Sequence, residues 1–337
     1  MIPAAPLSLQ REAAPRWQQL WREAVRDPRE LLSLLGLDPA APGLSDAAAA
    51  HFPLRVPRGF VARMRRGDPH DPLLRQVLPI ADETRRVPGF ALDAVGDAAA
   101  RAGEGLIRKY RGRALLIATG SCAVHCRYCF RRHFPYAEQT AARDGWQAAI
   151  DAIAADPDID EIILSGGDPL SLATSKLEEL TSALAPLPHL RRLRLHTRLP
   201  VVLPERVDDV LLAWLRRLPW PVAVVIHANH ANEFDATVDA ALARLRAAGA
   251  SLLNQAVLLR GVNDSPEALT ALSERGYAAG VLPYYLHQLD RVEGAAHFEV
   301  SDDRARALHA ALVAALPGYL VPKLVREVAG DPAKRAL

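Results

Sequence analysis

Cysteine and methionine are scarce in this chain, whose 337 residues include three cysteines and two methionines. The three cysteines, Cys122, Cys126 and Cys129, fall within one stretch of eight residues. An odd number of thiols on so short a loop excludes a disulfide framework, because rings at these spacings would be too tight to close. Three clustered thiolates are instead suited to holding a metal centre.

A strong charge of one sign and a long apolar run are also missing. The 41 basic and 39 acidic side chains leave a net charge of +2, which gives no reason to expect nucleic acid or a membrane surface as a partner. The longest apolar stretch, at 305–316, is too short to span a bilayer, and the N-terminus lacks the pattern of a secretory signal. Thiols that must stay reduced fit a reducing compartment, so we expect a cytoplasmic protein.

From residue 114 onwards, short apolar runs alternate with amphipathic stretches. Runs that are apolar throughout, separated by helical patterns, predict a parallel sheet covered by helices. The six runs lie at 114–118, 161–164, 193–195, 222–226, 252–259 and 280–286, and the amphipathic stretches at 146–155, 174–184, 207–217, 237–248 and 266–275. Since a closed barrel needs eight units, the sequence predicts an α/β fold with an open, partial (β/α)6 barrel of the TIM type.

The rest of the chain divides around this barrel. Residues 1–107 are rich in proline and arginine, with helical spacing at 17–21 and 28–35, and are predicted to be a helical, wrapping region. The barrel is assigned to 108–290 and a C-terminal segment to 291–337.

Polar side chains follow the ends of the apolar runs. Because the carboxyl ends of parallel strands meet at one rim of a barrel, we expect these residues to converge near the cysteine loop. They include Ser165-Gly166-Gly167-Asp168, His196, His227, Gln255, His287 and Asp290. Any single one of them has an ordinary structural explanation, and the Gly-Gly pair by itself is a common turn.

Two kinds of metal centre are compatible with the cysteine loop. A [4Fe–4S] cluster normally takes four thiolates, so three would leave one iron open to bind a small molecule. Zinc is the alternative, with His125 or His133 as a fourth ligand, although structural zinc sites usually draw ligands from two separated pairs.

The spacing Cys-x3-Cys-x2-Cys, with Tyr128 before the last cysteine, resembles the signature of the radical S-adenosylmethionine (SAM) enzymes. This resemblance implies that the open iron binds the amino and carboxylate groups of SAM and that Tyr128 lies against the adenine. It also implies that the turn of Gly166, Gly167 and Asp168 contacts the amino group of the methionine moiety.

The C-terminal tail points to one family among these enzymes. It begins Gly318-Tyr-Leu-Val-Pro and contains Lys334. Together with 53–57, 71–76, 126–132 and 254–264, it resembles the lysine 2,3-aminomutase family over nearly the whole chain. The likeness is greatest to the bacterial branch that makes (R)-β-lysine for the modification of elongation factor P.

In that family a tail lysine holds pyridoxal 5′-phosphate (PLP) as a Schiff base, and the matching residue is Lys334. The resemblance further assigns the PLP phosphate to two basic residues, Lys109 and Arg113. Lys109 lies at a position where arginine is commoner in that family. A lysine ammonium would contact the phosphate at a single point, whereas an arginine would bind it bidentately.

The same resemblance implies free lysine as the substrate. Its side-chain ammonium would be bound by Asp290 and Glu327, and its carboxylate by Arg131. A buried ammonium is costly unless it is paired with an acid. An acidic substrate side chain is therefore disfavoured.

Several alternatives stay open at this point. They are a lysine 2,3-aminomutase serving degradation or osmolyte synthesis, a radical SAM enzyme without PLP, and a zinc-binding scaffold. The implied partners are an unidentified reducing electron donor and, through the product, elongation factor P and its lysyl-ligase. A homo-oligomer is compatible with the sequence, and zinc between subunits is not expected because no spare cysteine remains.

Overall fold

Ten strands form one continuous sheet in the computed structural model, which describes residues 14–40, 43–136 and 146–337. The strands pair in the order in which they occur along the chain, so the sheet is an open, partial barrel. They are β1 (Arg101–Gly103), β2 (Leu106–Ile107), β3 (Arg113–Thr119), β4 (Glu161–Gly166), β5 (Arg192–Thr197), β6 (Val222–Ile226), β7 (Ser251–Val257), β8 (Leu282–His287), β9 (Lys323–Arg326) and β10 (Arg335–Ala336).

The six predicted strands are confirmed as β3 to β8, which are all parallel. β3, β4 and β6 are buried along most of their length, as in the pattern of four buried residues within β4, whereas in β5 and β7 buried residues alternate with partly exposed ones. Both faces of a parallel sheet are covered, and this explains why the apolar runs of β3, β4 and β6 do not alternate with polar residues.

The sheet is larger than predicted. β9 adds a seventh parallel strand next to β8, while β1, β2 and β10 are antiparallel additions at the two edges. β1 and β2 come from the region predicted to be helical and wrapping, and β9 and β10 from the C-terminal segment. All three predicted regions therefore contribute to one sheet.

Twelve α-helices accompany the sheet in the described residues. Five short ones precede it, and the long ones cross over between parallel strands at the predicted places. They are α1 (Arg16–Arg22), α2 (Pro28–Leu34), α3 (Asp46–His51), α4 (Arg58–Val61), α5 (Pro72–Arg75), α6 (Gln147–Ala154), α7 (Thr174–Leu184), α8 (Leu199–Val202), α9 (Asp209–Arg217), α10 (Ala236–Ala247), α11 (Pro266–Ala278) and α12 (Asp302–Ala315).

Local sequence explains where the crossover helices begin. The side chain of Asp208 accepts a hydrogen bond from the N–H of Leu211 and caps α9, and Ser265 caps α11, which has proline at its first position. Trp214 of α9 is buried and donates a hydrogen bond from its indole N–H to the hydroxyl of Thr181 on α7, so neighbouring helices are also tied to each other.

In the part of the chain that the structure describes, no helix combines the length and apolar character needed to cross a bilayer. The prediction that the N-terminus carries no secretory signal concerns residues 1–13, which lie outside the described residues.

Candidate active site

A cleft with two adjoining parts opens at the carboxyl ends of the parallel strands. One part, of about 1100 Å³, borders the three cysteines, and the other, of about 990 Å³, reaches Lys109 and Arg113. The two parts share walls that include Arg131, Glu327 and Lys334. Every candidate site residue chosen from the sequence lines one part or both.

The cysteine loop is held in place by the N-terminal region. The backbone N–H groups of His125 and Arg127 donate to the carbonyl oxygens of Arg55 and Gln76 at 3.0 and 2.8 Å. The fully buried guanidinium group of Arg127 also binds the carboxylate of Glu83, with Nε 2.8 Å from Oε1. Short helices and turns that wrap the barrel therefore set the conformation of the loop.

The three thiols are free and partly exposed to the cleft. Burial, followed by repulsion from Cys129, raises the pKa of Cys122 well above its ordinary value, and burial with repulsion from Cys126 raises that of Cys129 to about 11. A bound metal removes these protons, because a coordinating thiol is deprotonated outright. Three thiolates crowded together without a metal are unfavourable, and this fits a metal-binding loop.

The two histidines considered as zinc ligands are engaged elsewhere. Nδ1 of His125 lies 2.7 Å from the carbonyl oxygen of Pro53, and His133 contacts both His51 and the carbonyl oxygen of Glu293. Within residues 14–40, 43–136 and 146–337, no group of three or more His, Cys, Asp or Glu side chains is arranged around a single point as one ion requires. A cluster places each thiolate on a different iron atom, so it does not need that arrangement.

The glycine turn after β4 packs directly against the start of the cysteine loop. Gly166 has φ +109°, and a Cβ atom on Gly167 would lie 2.4 Å from the carbonyl oxygen of Ser121. The N–H groups of Gly167 and Asp168 donate to the carbonyl oxygens of Thr119 and Ser121. Only glycine permits this close approach, so the turn serves more than chain reversal.

Both carboxylate oxygens of Asp168 accept hydrogen bonds from neighbouring residues. Its carboxylate accepts from the hydroxyl of Thr197 and from the N–H groups of Leu170, Arg198 and Leu199 at 2.7–3.1 Å. Burial raises its pKa to about 6, against these hydrogen bonds, which favour the ionised form. Contact between Asp168 and SAM stays a prediction.

Tyr128 lies beside the cysteines, as expected for a residue that faces a bound adenine. Its ring packs edge-on against Phe298 at 6.2 Å, and its hydroxyl accepts a hydrogen bond from Arg198 at 2.8 Å. The same arginine nitrogen donates to Sγ of Cys126 at 2.7 Å. Arg198 followed a predicted strand, yet nothing in the sequence signalled a contact with a cysteine.

The tail places Lys334 in the cleft, 204 positions after the cysteine loop ends at Phe130. Its ammonium nitrogen lies 2.7 Å from Nε2 of His287 and 3.0 Å from Oε2 of Glu327, and 5.5 Å from the centre of the Tyr285 ring. A lysine near the end of a chain is ordinarily solvated. Here the pairing of β10 with β9 brings Lys334 to the rim.

Two of the three residues assigned to anions, Lys109 and Arg131, bind the buried carboxylate of Asp97. Nζ of Lys109 lies 2.6 Å from Oδ1 of Asp97 and 2.8 Å from Oε1 of Glu327, and Nε of Arg131 lies 2.6 Å from Oδ2 of Asp97. The predicted contacts of Lys109 with a phosphate and of Arg131 with a substrate carboxylate would compete with Asp97, which sequence reasoning missed.

Five buried polar atoms in the cleft lack a hydrogen-bond partner among the residues that the structure describes. Two of them, Oδ1 of Asp97 and Nε of Arg198, belong to groups already held by ion pairs; the other three bear on ligand binding. They are Nε of Arg113, Oε1 of Gln255 and Oδ1 of Asp290. Buried polar groups are ordinarily paired, so such a cluster of unpaired atoms suggests a polar ligand. Nε of Arg113 could donate to an anion, and the oxygens of Gln255 and Asp290 could accept from a ligand N–H or O–H group.

The two acids predicted to bind a substrate ammonium differ in their ionisation. Burial and repulsion from Glu327 raise the pKa of Asp290 to about 7. Burial alone would raise the pKa of Glu327 too, but the ammonium groups of Lys334 and Lys109 outweigh it and lower that pKa to about 2. A cation placed beside Asp290 would therefore stabilise the ionised form of its carboxyl group. The negative charge of Glu327 is already balanced by the two ammonium groups.

Two histidines at the strand ends form a buried pair between the two parts of the cleft. Nδ1 of His196 lies 3.2 Å from Nε2 of His227. Burial, then repulsion from Arg198, lowers the pKa of His227 to about 3, and burial with His227 holds that of His196 well below its usual value. Both rings are neutral and add no charge to the cleft.

Comparison with known proteins identifies relatives over almost the full length of the chain, although no protein-family model matches it. The chain is 49% identical to an L-lysine 2,3-aminomutase of Escherichia coli strain K12 over 95% of this chain and 94% of that protein. It is 45% identical to an L-lysine 2,3-aminomutase of Haemophilus influenzae, over 94% of both proteins. An L-lysine 2,3-aminomutase of Clostridium subterminale is 33% identical over 79% of this chain and 64% of its own length.

Among solved structures, a radical SAM methyltransferase from Sphaerobacter thermophilus is similar, with a TM-score of 0.45 and 20% identity over 66% of this chain and 68% of that one. The sequence relatives are much more similar, and two of them match at least 94% of this chain. The chain belongs to the L-lysine 2,3-aminomutase family of radical SAM enzymes.

Proposed function

We propose that this protein is a PLP-dependent lysine 2,3-aminomutase that converts L-α-lysine to (R)-β-lysine, which is then attached to elongation factor P by a separate lysyl-ligase. The observation that carries the proposal is the shared cleft, whose walls include both the three cysteines and Lys334. A radical generated at one end of such a cleft would meet a substrate held at the other end without passing through solvent.

The cysteines would hold a [4Fe–4S] cluster, and Lys334, Arg113 and Gln255 would hold PLP. When bound, the cluster and SAM supply a carbon radical that removes hydrogen, and PLP supplies a ring that delocalises an unpaired electron during amino migration. The chain's own residues position these groups and exclude water.

Substrate binding follows from charge. The unpaired carboxyl oxygen of Asp290 would accept the side-chain ammonium of lysine, and the guanidinium of Arg131 would turn from Asp97 to the substrate carboxylate. A neutral Asp290 cannot hold a cation well, so the ammonium itself would favour loss of the Asp290 proton.

Lys334 must release its proton before its nitrogen can bond to a carbonyl carbon. His287 can accept a hydrogen bond from the Lys334 ammonium but not keep its proton, because burial and then the charge of Lys334 hold the pKa of His287 well below the usual value and keep the ring neutral. Glu327 stays ionised on the other side of the ammonium and keeps Lys334 directed into the cleft.

Water exclusion is the remaining task, since a radical reacts with stray hydrogen donors. A small apolar cluster at the ends of β7 and β8, which includes Leu259, Leu289 and Phe298, packs against Tyr128. It would close the cleft on the side of the cysteines.

A reconstitution experiment tests the activity. The protein would be purified without oxygen, loaded with iron, sulfide and PLP, and incubated with lysine, SAM and dithionite, and the product would be separated on a chiral column. We expect (R)-β-lysine, dependent on every component and absent with Cys126→Ala. An intact cluster with no β-lysine would contradict the activity.

The cellular role needs its own measurement. The mass of elongation factor P from cells lacking this gene, compared with complemented cells, reports whether the product reaches it. We expect a cytoplasmic enzyme that uses free lysine and a reducing electron donor of the cell. An unchanged mass would contradict the role in translation-factor modification and leave the aminomutase activity in place.

A further inference from the structure

Arg198 links the cysteine loop to two other parts of the chain. It directly follows β5, and its side chain is buried. One terminal nitrogen, Nη1, donates to Sγ of Cys126 at 2.7 Å and to the hydroxyl of Tyr128 at 2.8 Å. The other, Nη2, donates to Oε1 of Gln76 at 2.7 Å and to Oε2 of Glu233 at 3.0 Å.

The position of this guanidinium group is fixed from several sides. The backbone N–H of Arg198 donates to Oδ2 of Asp168 at 2.7 Å, and the guanidinium carbon lies 5.4 Å from the centre of the Phe60 ring. Glu233 is itself fully buried and accepts a hydrogen bond from the N–H of Asn229 at 2.8 Å. Neither member of the Arg198–Glu233 pair can swing away without leaving a buried charge unpaired.

Other arginines near the loop direct their nitrogens to oxygen atoms. Arg127 and Arg132 bind Glu83, Arg131 binds Asp97, and Arg55 reaches the carbonyl oxygen of Cys122 at 3.4 Å. Among the cysteine sulfurs of the described residues, that of Cys126 is the one with a guanidinium donor on it. The charge of Arg198 is therefore directed at one particular thiolate.

A hydrogen bond to a thiolate sulfur changes the reduction potential of an iron–sulfur cluster. Reduction adds one negative charge to the cluster, and part of that charge resides on the sulfurs. A fixed positive donor stabilises the reduced form more than the oxidised form and so raises the potential. The effect is large in a buried site, because little water is present to screen the charge.

We propose that Arg198 is a positioning residue that donates to the Cys126 thiolate and raises the reduction potential of the cluster, thereby making the entry of an electron from the external donor into the cluster more favourable. The inference rests on the cluster-binding part of the proposed function. Glu233 opposes this effect electrostatically and holds the guanidinium in place. Arg198 thus tunes a cluster ligand through a hydrogen bond, as a carboxylate does when it accepts a hydrogen bond from a metal-bound histidine.

A purely structural role for Arg198 is the competing explanation, since the same side chain ties the loop to the N-terminal region. Stability and cluster content respond to either role. The midpoint potential of a variant that keeps its cluster responds only to the electrostatic one, so it is the deciding measurement.

The experiment is a redox titration of the anaerobically reconstituted protein, followed by electron paramagnetic resonance of the reduced cluster, for wild type and Arg198→Gln. We expect the equilibrium constant for one-electron reduction to fall about tenfold in the variant, a potential about 59 mV more negative. Arg206→Gln is the matched control, because Arg206 is equally buried but donates to the carbonyl oxygens of Leu170 and Leu172. We expect its cluster to keep the wild-type potential.

A wild-type potential in Arg198→Gln with full iron and sulfide content would overturn the proposal. Should that variant hold no cluster, Glu233→Gln decides, because it removes the opposing charge and retains Arg198. We expect its potential to be less negative than that of wild type, and an unchanged potential would again overturn the proposal. Wild-type protein that binds no iron would instead contradict the cluster itself.

Discussion

Nζ of Lys334 lies 2.7 Å from Nε2 of His287, although 47 positions separate the two residues in the chain. His287 ends β8, and Lys334 precedes the short strand β10, so the contact depends on the tail adding two strands to the sheet. The ring of His287 is neutral and accepts a hydrogen bond from the ammonium group. A residue that would otherwise be solvated is thereby held in the cleft.

The first prediction concerns this lysine. Lys334→Ala should abolish both the covalent attachment of PLP and turnover, because the other lysine that lines the cleft, Lys109, is held by Asp97 and Glu327. The measurement is the PLP absorbance band together with the protein mass after borohydride reduction. Lys323→Ala, at an exposed position of β9, is the matched control and should behave as wild type. A covalent PLP adduct that persists in Lys334→Ala would rule out the assignment.

The second prediction concerns Asp290, whose pKa is raised from 3.8 to about 7. A carboxyl group whose pKa is raised in the folded state makes its full contribution to stability at pH values below its unfolded-state pKa. This contribution is lost as the pH rises towards the folded-state pKa of about 7. Asp290→Asn should therefore be more stable than wild type at pH 8, by on the order of a few kcal/mol, with the advantage shrinking between pH 7 and pH 4.

Urea unfolding of the ligand-free protein across this pH range would measure the effect. The same substitution should weaken lysine binding, since the substrate ammonium loses its negative partner. A stability difference that does not change with pH would show that Asp290 has an ordinary pKa.

The third prediction concerns the glycine turn. Gly167→Ala would place a Cβ atom 2.4 Å from the carbonyl oxygen of Ser121, so the cysteine loop must shift. We expect a loss of stability of about 2 kcal/mol or more, together with lower iron content. Gly318→Ala is the control, because its Cβ atom would meet nothing within 4 Å, and its stability should change by less than about 0.5 kcal/mol. Equal effects of the two substitutions would argue against the close approach.

The fourth prediction concerns the carboxylate that anchors the cysteine loop. Glu83→Ala would leave the buried guanidinium groups of Arg127 and Arg132 without their shared partner, at a cost of about 3–5 kcal/mol. Glu30→Ala removes an exposed ion pair with Arg58 and should cost less than about 1 kcal/mol. Thermal unfolding and iron content would be compared for both variants, and a mild effect of Glu83→Ala would mean that the loop holds its shape unaided.

The strands found from the sequence and those missed differ in length. β3 to β8 have five to seven residues each and alternate with helices, so their apolar positions recur as a regular pattern along the chain. The missed strands β1, β2, β9 and β10 have only two to four residues each, and β1 and β10 are also exposed at the edges of the sheet. So few residues carry little signal in the sequence, whether the strand lies at an edge or, like β2 and β9, inside the sheet.

The residues of the site divide in a similar way. The cysteines, the Gly166-Gly167 turn and Lys334 belong to local motifs that the sequence displays directly. Asp97, Glu83 and Glu233 do not, because each is a charged residue in an irregular segment and acts on a partner far away in the chain. A charge that looks solvated in the sequence is identified as buried only when the segments that cover it are known.

The order of residues thus determined the repeating strands and helices, the three-thiolate loop and the family, since each of these is a pattern of neighbours along the chain. Only the tertiary structure decided that Arg198 donates to Cys126, that Asp97 forms ion pairs with Lys109 and Arg131, and that His287 contacts Lys334. These contacts depend on distances between segments that are remote in sequence, and such distances are set by how the sheet curves and how the N-terminal region and the tail close over it.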